Sequence, residues 1–223
     1  MKSIKFLVIA LVAAIALISA GVAMAGIKDS KHDLSTGNAT AGVYKNAGTS
    51  EICVFCHTPH SGGTLVPLWN RTTTTLGFTL YTSPTGTLDA TDLGQPGGAS
   101  LACMSCHDGT LALSVLTNQP TPAASAGVDA GGVVADLLVN GTAALGKDLS
   151  NDHPVSFTFD ATLASTDGGL NDPTALSLAK LFGIGSNQVE CASCHNVHDN
   201  TTAPPFLRAS NANSALCLDC HNK

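Results

Sequence analysis

The sequence predicts a mostly irregular, loop-rich chain with short α-helices and few short strands, wound around a core that its own side chains do not supply. Three observations carry this expectation. All 8 cysteines of the 223 residues fall into four copies of one pattern, Cys-x-x-Cys-His. Aromatic residues make up only 4% of the chain, as 1 Trp, 2 Tyr and 7 Phe. Gly, Ala, Thr, Asn and Pro fill the stretches between the copies, leaving little material for long helices or wide sheets.

The four copies are Cys53-Val54-Phe55-Cys56-His57, Cys103-Met104-Ser105-Cys106-His107, Cys191-Ala192-Ser193-Cys194-His195 and Cys217-Leu218-Asp219-Cys220-His221 (motifs 1 to 4). Two thiols three residues apart reach the two vinyl groups on one edge of a porphyrin, and the adjacent imidazole meets the iron from the same turn. This is the c-type haem attachment pattern, and four copies with no cysteine left over predict four covalently bound haem c groups. Zinc sites also use Cys-x-x-Cys, but do not require a His after every second Cys. Thioredoxin-like motifs come singly within a βαβ pattern that is absent here. Disulfides between motifs would leave the four following histidines unexplained.

The histidine count agrees. The chain has 8, of which His57, His107, His195 and His221 belong to the motifs and His32, His60, His153 and His198 lie elsewhere. Four irons need four proximal and four distal ligands, so the set closes as four bis-His sites. Methionine is the competing distal ligand. Met1 and Met24 lie in a leader, and Met104 sits inside its own motif, where it cannot cross the macrocycle.

In chain order, Lys2 and Lys5 precede an apolar run from Phe6 to Ala20, and Ala23-Met24-Ala25 is a small-x-small cleavage site. Residues 1–25 are thus expected to be a signal peptide, which implies export, with an uncleaved membrane anchor as the alternative. Residues 26–223 are then one tetrahaem domain. It reads as two pseudo-repeats, about 26–115 and 145–223, each with a lone His, a CxxCHxxH and a CxxCH. In the CxxCHxxH elements, His57 and His60, like His195 and His198, are neighbours on one turn, so one serves the local iron and the other reaches a second. Thr75 to Tyr81 alternates like a strand, and Val133 to Val139 suggests a short helix. Residues 154–160 read as an edge strand after His153. Asp172-Pro173 opens and Gly183 closes a helix expected over Thr174 to Phe182.

Without Lys2 and Lys5, 8 Lys and Arg stand against 16 Asp and Glu, a formal balance of −8. With no basic cluster, nucleic acid is a poor partner. No second segment is apolar and long enough to span a membrane. Asn38, Asn70, Asn140 and Asn200 begin Asn-x-Thr sequons.

The residues His32-Asp33-Leu34-Ser35, Cys56-His57-Thr58-Pro59-His60, Cys106-His107-Asp108-Gly109-Thr110, Asp152-His153-Pro154-Val155 and Cys194-His195-Asn196-Val197-His198 resemble the doubled-CxxCH multihaem cytochromes. Within these the chain is similar to the extracellular tetrahaem cytochromes that polymerise into conductive filaments in metal-reducing microbes. The resemblance implies a continuous haem chain, a homopolymer and one axial His supplied by the neighbouring protomer, for which His32 is the favoured donor. The expected function is electron transfer to redox proteins or an extracellular acceptor. A monomeric periplasmic shuttle is the alternative. A multihaem reductase would need an iron with an open distal site, which the ligand count argues against.

Overall fold

The computed structural model describes residues 26–40, 42–128 and 134–222. The expected signal peptide therefore lies outside the described residues. Among the described residues, past the helical pair 26–27, regular structure is sparse: four short α-helices, α1 (Gly98–His107), α2 (Ala161–Asp167), α3 (Cys191–Cys194) and α4 (Ala215–Cys220), with four two-residue strands, β1 (Gly127–Val128), β2 (Val134–Ala135), β3 (Phe157–Thr158) and β4 (Gln188–Val189). The strands pair only as antiparallel couples, β1 with β2 and β3 with β4, the latter in register Phe157 to Val189 and Thr158 to Gln188. None of the helices among the described residues is long and apolar enough to cross a membrane.

Among the described residues, apolar side chains gather in two small clusters. Phe157, Phe159, Ala164 and Val189 form one, with Leu93, Leu163 and Leu170 against it. Phe78, Met104 and Leu149 form the other, with Leu80 alongside. Such small clusters leave much of the ordering to buried polar contacts. Asn70, Ser100 and Ser105 are fully buried, and Asp33, Ser35 and Thr49 nearly so.

The local expectations met the tertiary environment unevenly. The edge strand over 154–160 forms as β3. The alternating run Thr75 to Tyr81 makes only a single bridge, Thr79 beside Asp148, through Thr79 N–H to Lys147 O and Leu149 N–H to Thr79 O (both 2.8 Å). Phe78 packs inward while Leu76 stays exposed. The helix expected near Val133 to Val139 is not formed in its described part, where β2 is a strand instead; Val133 lies outside the described residues.

The helix expected over Thr174 to Phe182 shrinks to one 3-10 turn, Pro173–Ala175. Its Asp172 cap does form, accepting from Thr174 N–H at 2.8 Å. The next amides, however, are claimed from outside. Asp219 accepts from Ser177, Leu178 and Ala179 N–H at 3.0, 3.0 and 2.8 Å, which removes the donors a helix would have used. By contrast α2 is fully punctuated, with Asp160 accepting from Leu163 N–H at 2.9 Å and Gly168 in the left-handed region at φ 67°.

Candidate haem-binding sites

Each motif occupies one helical turn. Motif 1 is a 3-10 turn over Cys53–Phe55, motif 2 ends α1, motif 3 is α3, and motif 4 ends α4. In motifs 1, 3 and 4 the histidine N–H closes the turn onto the first cysteine's carbonyl, at 2.8, 3.1 and 3.0 Å. Both thiols and the imidazole of a motif thereby issue from one rigid unit. None of the eight cysteines is paired in a disulfide.

The two CxxCHxxH elements lead into the same loop. After motif 1, Thr58 N–H donates to Leu68 O and Asn70 N–H to Cys56 O. After motif 3, Asn196 N–H donates to Phe206 O and Arg208 N–H to Cys194 O. Leu68 and Phe206 occupy the corresponding place in the loop, and both have positive φ, 54° and 59°. The loop aims a proline carbonyl at each motif histidine: Pro67 O accepts from His57 Nδ1 at 2.7 Å, and Pro205 O from His195. His107 Nδ1 donates to Ala143 O and His153 Nδ1 to Pro154 O, each at 2.7 Å. A carbonyl only accepts, so Nδ1 carries the proton and Nε2 presents its lone pair.

Three pairs of these imidazoles face each other. His57 and His198 have ring centres 6.1 Å apart with planes 17° from parallel. His32 and His107 are 6.0 Å apart at 81°, and His153 and His221 are 6.3 Å apart at 72°. Two metal–imidazole bonds of roughly 2 Å each, extended by the distance from nitrogen to ring centre at both ends, give a centroid separation of about 6 Å. The spacing therefore fits one iron between each pair, with two thiols beside it. Among the described residues no three His, Cys, Asp or Glu converge as they would around a bare metal ion.

His32 is thus placed inside its own chain, facing His107 and stacked on Phe206 at 4.4 Å. The expectation was a ligand given to a neighbour; within its own chain His32 lies beside His107. Its loop is fixed by Asp33, which accepts from Ser35 N–H at 3.1 Å, Ser35 O–H at 2.6 Å and Asp29 N–H at 2.9 Å. Burial, then the neighbouring His107, His195 and His198, lower its pKa to about 4. Burial likewise lowers His195 and His198. All three are held in the neutral form that ligation requires.

The remaining histidines do not pair. His195 has no facing imidazole among the described residues, and neither does exposed His60, whose Nδ1 lies 3.4 Å from Ser61 Oγ. Six of the eight predicted ligands are brought together within the chain, and these two are not.

The thiols follow one another in motif order. Cys56 lies near Cys106, Cys103 near Cys191, and Cys194 near Cys217 and Cys220. Burial is the main reason the Cys56 thiol is pushed up to about 12.

Residues outside the motifs hold them in this order. Asn70, fully buried, donates through Nδ2 to Val54 O at 2.8 Å and Asn118 O at 2.9 Å, and accepts from Asn118 N–H at 2.8 Å. The carboxylate of Glu190 caps α3 through Ser193 N–H and accepts from Ser100 N–H, Ser100 O–H and Ser156 O–H, so it ties α3 to α1. The only sequence signal for these roles was position: Asn70 lies 13 residues after His57, where Arg208 lies 13 after His195, and Glu190 directly precedes motif 3. Asn38 and Asn70 are buried with their amides engaged, so those two sequons cannot carry a glycan in the folded chain.

The doubled CXXCH motif family matches residues 185–223, which hold motifs 3 and 4. No match among curated proteins was found. The family match and the motif geometry support covalent haem c binding and a multihaem c-type cytochrome, a class that works by electron transfer.

Proposed function

We propose that this chain is a tetrahaem electron relay that is exported and assembles head to tail into an extracellular filament serving an external acceptor. Each motif would hold one haem c through its two cysteines and its histidine. When bound, the haem iron cycles between ferric and ferrous states and passes single electrons to its neighbour. The carbonyls bonded to Nδ1 of His57, His107, His153 and His195 would hold those rings with Nε2 unprotonated toward the iron.

The observation that carries the filament reading is the unmatched pair. Among the described residues neither His195 nor exposed His60 has an imidazole set against it as in the three pairs, although His195 lies near His32 and His107. His60 of one copy meeting His195 of the next would complete the fourth bis-His site. Such a contact is heterologous and does not close on itself, so it propagates. The predicted leader and the acidic balance suit an exported, soluble subunit.

Electron microscopy and magnetic resonance of the purified haem protein test this together. Wild type should form filaments with all irons low-spin. His60→Ala should keep four covalent haems, lose the filaments and show one high-spin iron at motif 3. Filaments that persist in His60→Ala with every iron low-spin would defeat the proposal. The same unmatched His195 favours a second reading, a monomer whose open iron binds a small ligand as in a multihaem reductase. A monomeric wild type with one high-spin iron that binds carbon monoxide or nitrite would select it.

A further inference from the structure

Arg71 is one of only two arginines in the chain and is 4% exposed. Its Nη1 donates to Leu113 O at 2.8 Å, and its Nη2 donates to Ala112 O at 2.8 Å and Ser105 O at 3.3 Å. All three acceptors are uncharged carbonyls, and its Nε is buried without a partner. Among the described residues the one ion pair within 4.0 Å joins Lys147 to Asp108, so no carboxylate touches the guanidinium; the Asp136 carboxylate nearby is held by Ser114 and Tyr44. A buried cation without a counter-charge is costly.

Its position is fixed from both sides. The preceding residue, Asn70, is bonded to motif 1 through Val54 O and Cys56 O, while Arg71 itself bonds to Ser105 inside motif 2. Its charge is felt at both Cys56 and Cys106. The other two motifs carry the opposite charge. Glu190, 3% exposed, stands directly before Cys191, and Asp219 lies between Cys217 and Cys220. Asp219 and Arg208, which lies near Cys194, are both only part-buried, so Glu190 is the buried charge of that half, and Asp108 beside motif 2 is offset by Lys147 at 3.7 Å.

Resting on the haem reading above, we propose that Arg71 grades the relay, making the haems held by motifs 1 and 2 its higher-potential pair. Reduction of an iron site by one electron removes one positive charge and makes or breaks no bond. A fixed cation in a poorly solvated setting therefore favours the reduced state, and a fixed carboxylate favours the oxidised one. Arg71 is a positioning and tuning residue; it ligates nothing.

The test is a spectroelectrochemical titration of the full haem protein, after covalent haem has been counted as the pyridine haemochrome. In Arg71→Gln two of the four midpoints should fall and the other two stay in place. Arg71→Lys, which keeps the charge, should leave all four near wild type. Unchanged midpoints in fully loaded Arg71→Gln would overturn the proposal. So would an equal fall in Arg71→Lys, which would assign the effect to lost hydrogen bonds. Should Arg71→Gln assemble with fewer haems, wild type decides. Stepwise reduction by dithionite, followed through assigned haem-methyl resonances, should fill motifs 1 and 2 first, and filling motifs 3 and 4 first refutes the grading. Failure of the haem reading itself would show separately, as a missing haem count.

Discussion

His57 and His198 stand 6.1 Å apart with nearly parallel rings, although the first closes motif 1 and the second follows motif 3. The second histidine of the later CxxCHxxH element thus reaches the site of the earlier one. His60, at the same offset in the earlier element, faces no imidazole within the chain. The two elements share a loop but not a ligand geometry.

His198→Ala should open the iron at motif 1 and leave the iron at motif 3 as it was. Covalent haem content should stay at four. Magnetic resonance combined with assigned haem-methyl shifts reads which iron changes; a new high-spin signal at motif 3 would contradict the pairing.

His32→Ala should open the iron at motif 2, because His32 faces His107 at 6.0 Å. On the filament reading proposed above, filaments should still form, since His32 faces a histidine of its own chain. Electron microscopy of the variant separates this outcome from one in which His32 crosses between copies.

Asn70→Ala removes a buried amide that makes three side-chain hydrogen bonds and leaves Val54 O, Asn118 O and Asn118 N–H without it. Each stranded buried group costs about 1–3 kcal/mol, so a loss on the order of 3 kcal/mol is expected. Denaturant unfolding of variant and wild type at equal haem loading measures it, and a change below about 1 kcal/mol would show that Asn70 is not a strut.

Glu190→Gln replaces a carboxylate that accepts from Ser100, Ser156 and Ser193. One side of the new amide would turn a donor toward donors. Destabilisation of roughly 1–3 kcal/mol is expected, together with a looser α1–α3 contact. Amide hydrogen exchange should quicken in both helices, and exchange confined to α3 would argue against the link.

Local covalent chemistry determined what the sequence alone could reveal. Thiols and imidazole within five residues must share a turn, so the four motifs, their order and the loop-rich class were legible, as was the edge strand at β3. Packing across the chain decided the rest. A histidine's residue type does not say which iron it faces, and the pairs His57–His198, His32–His107 and His153–His221 depend on where distant loops settle. The helix expected over 174–182 had a sound cap but lost its amides to Asp219, a competitor some 40 residues away. Arg71 and Glu190 read as ordinary charged residues until folding buried one among carbonyls and the other among hydroxyls and amides. Short-range bonds are written in the sequence, whereas partners that meet only after folding are chosen by the shape that brings them together.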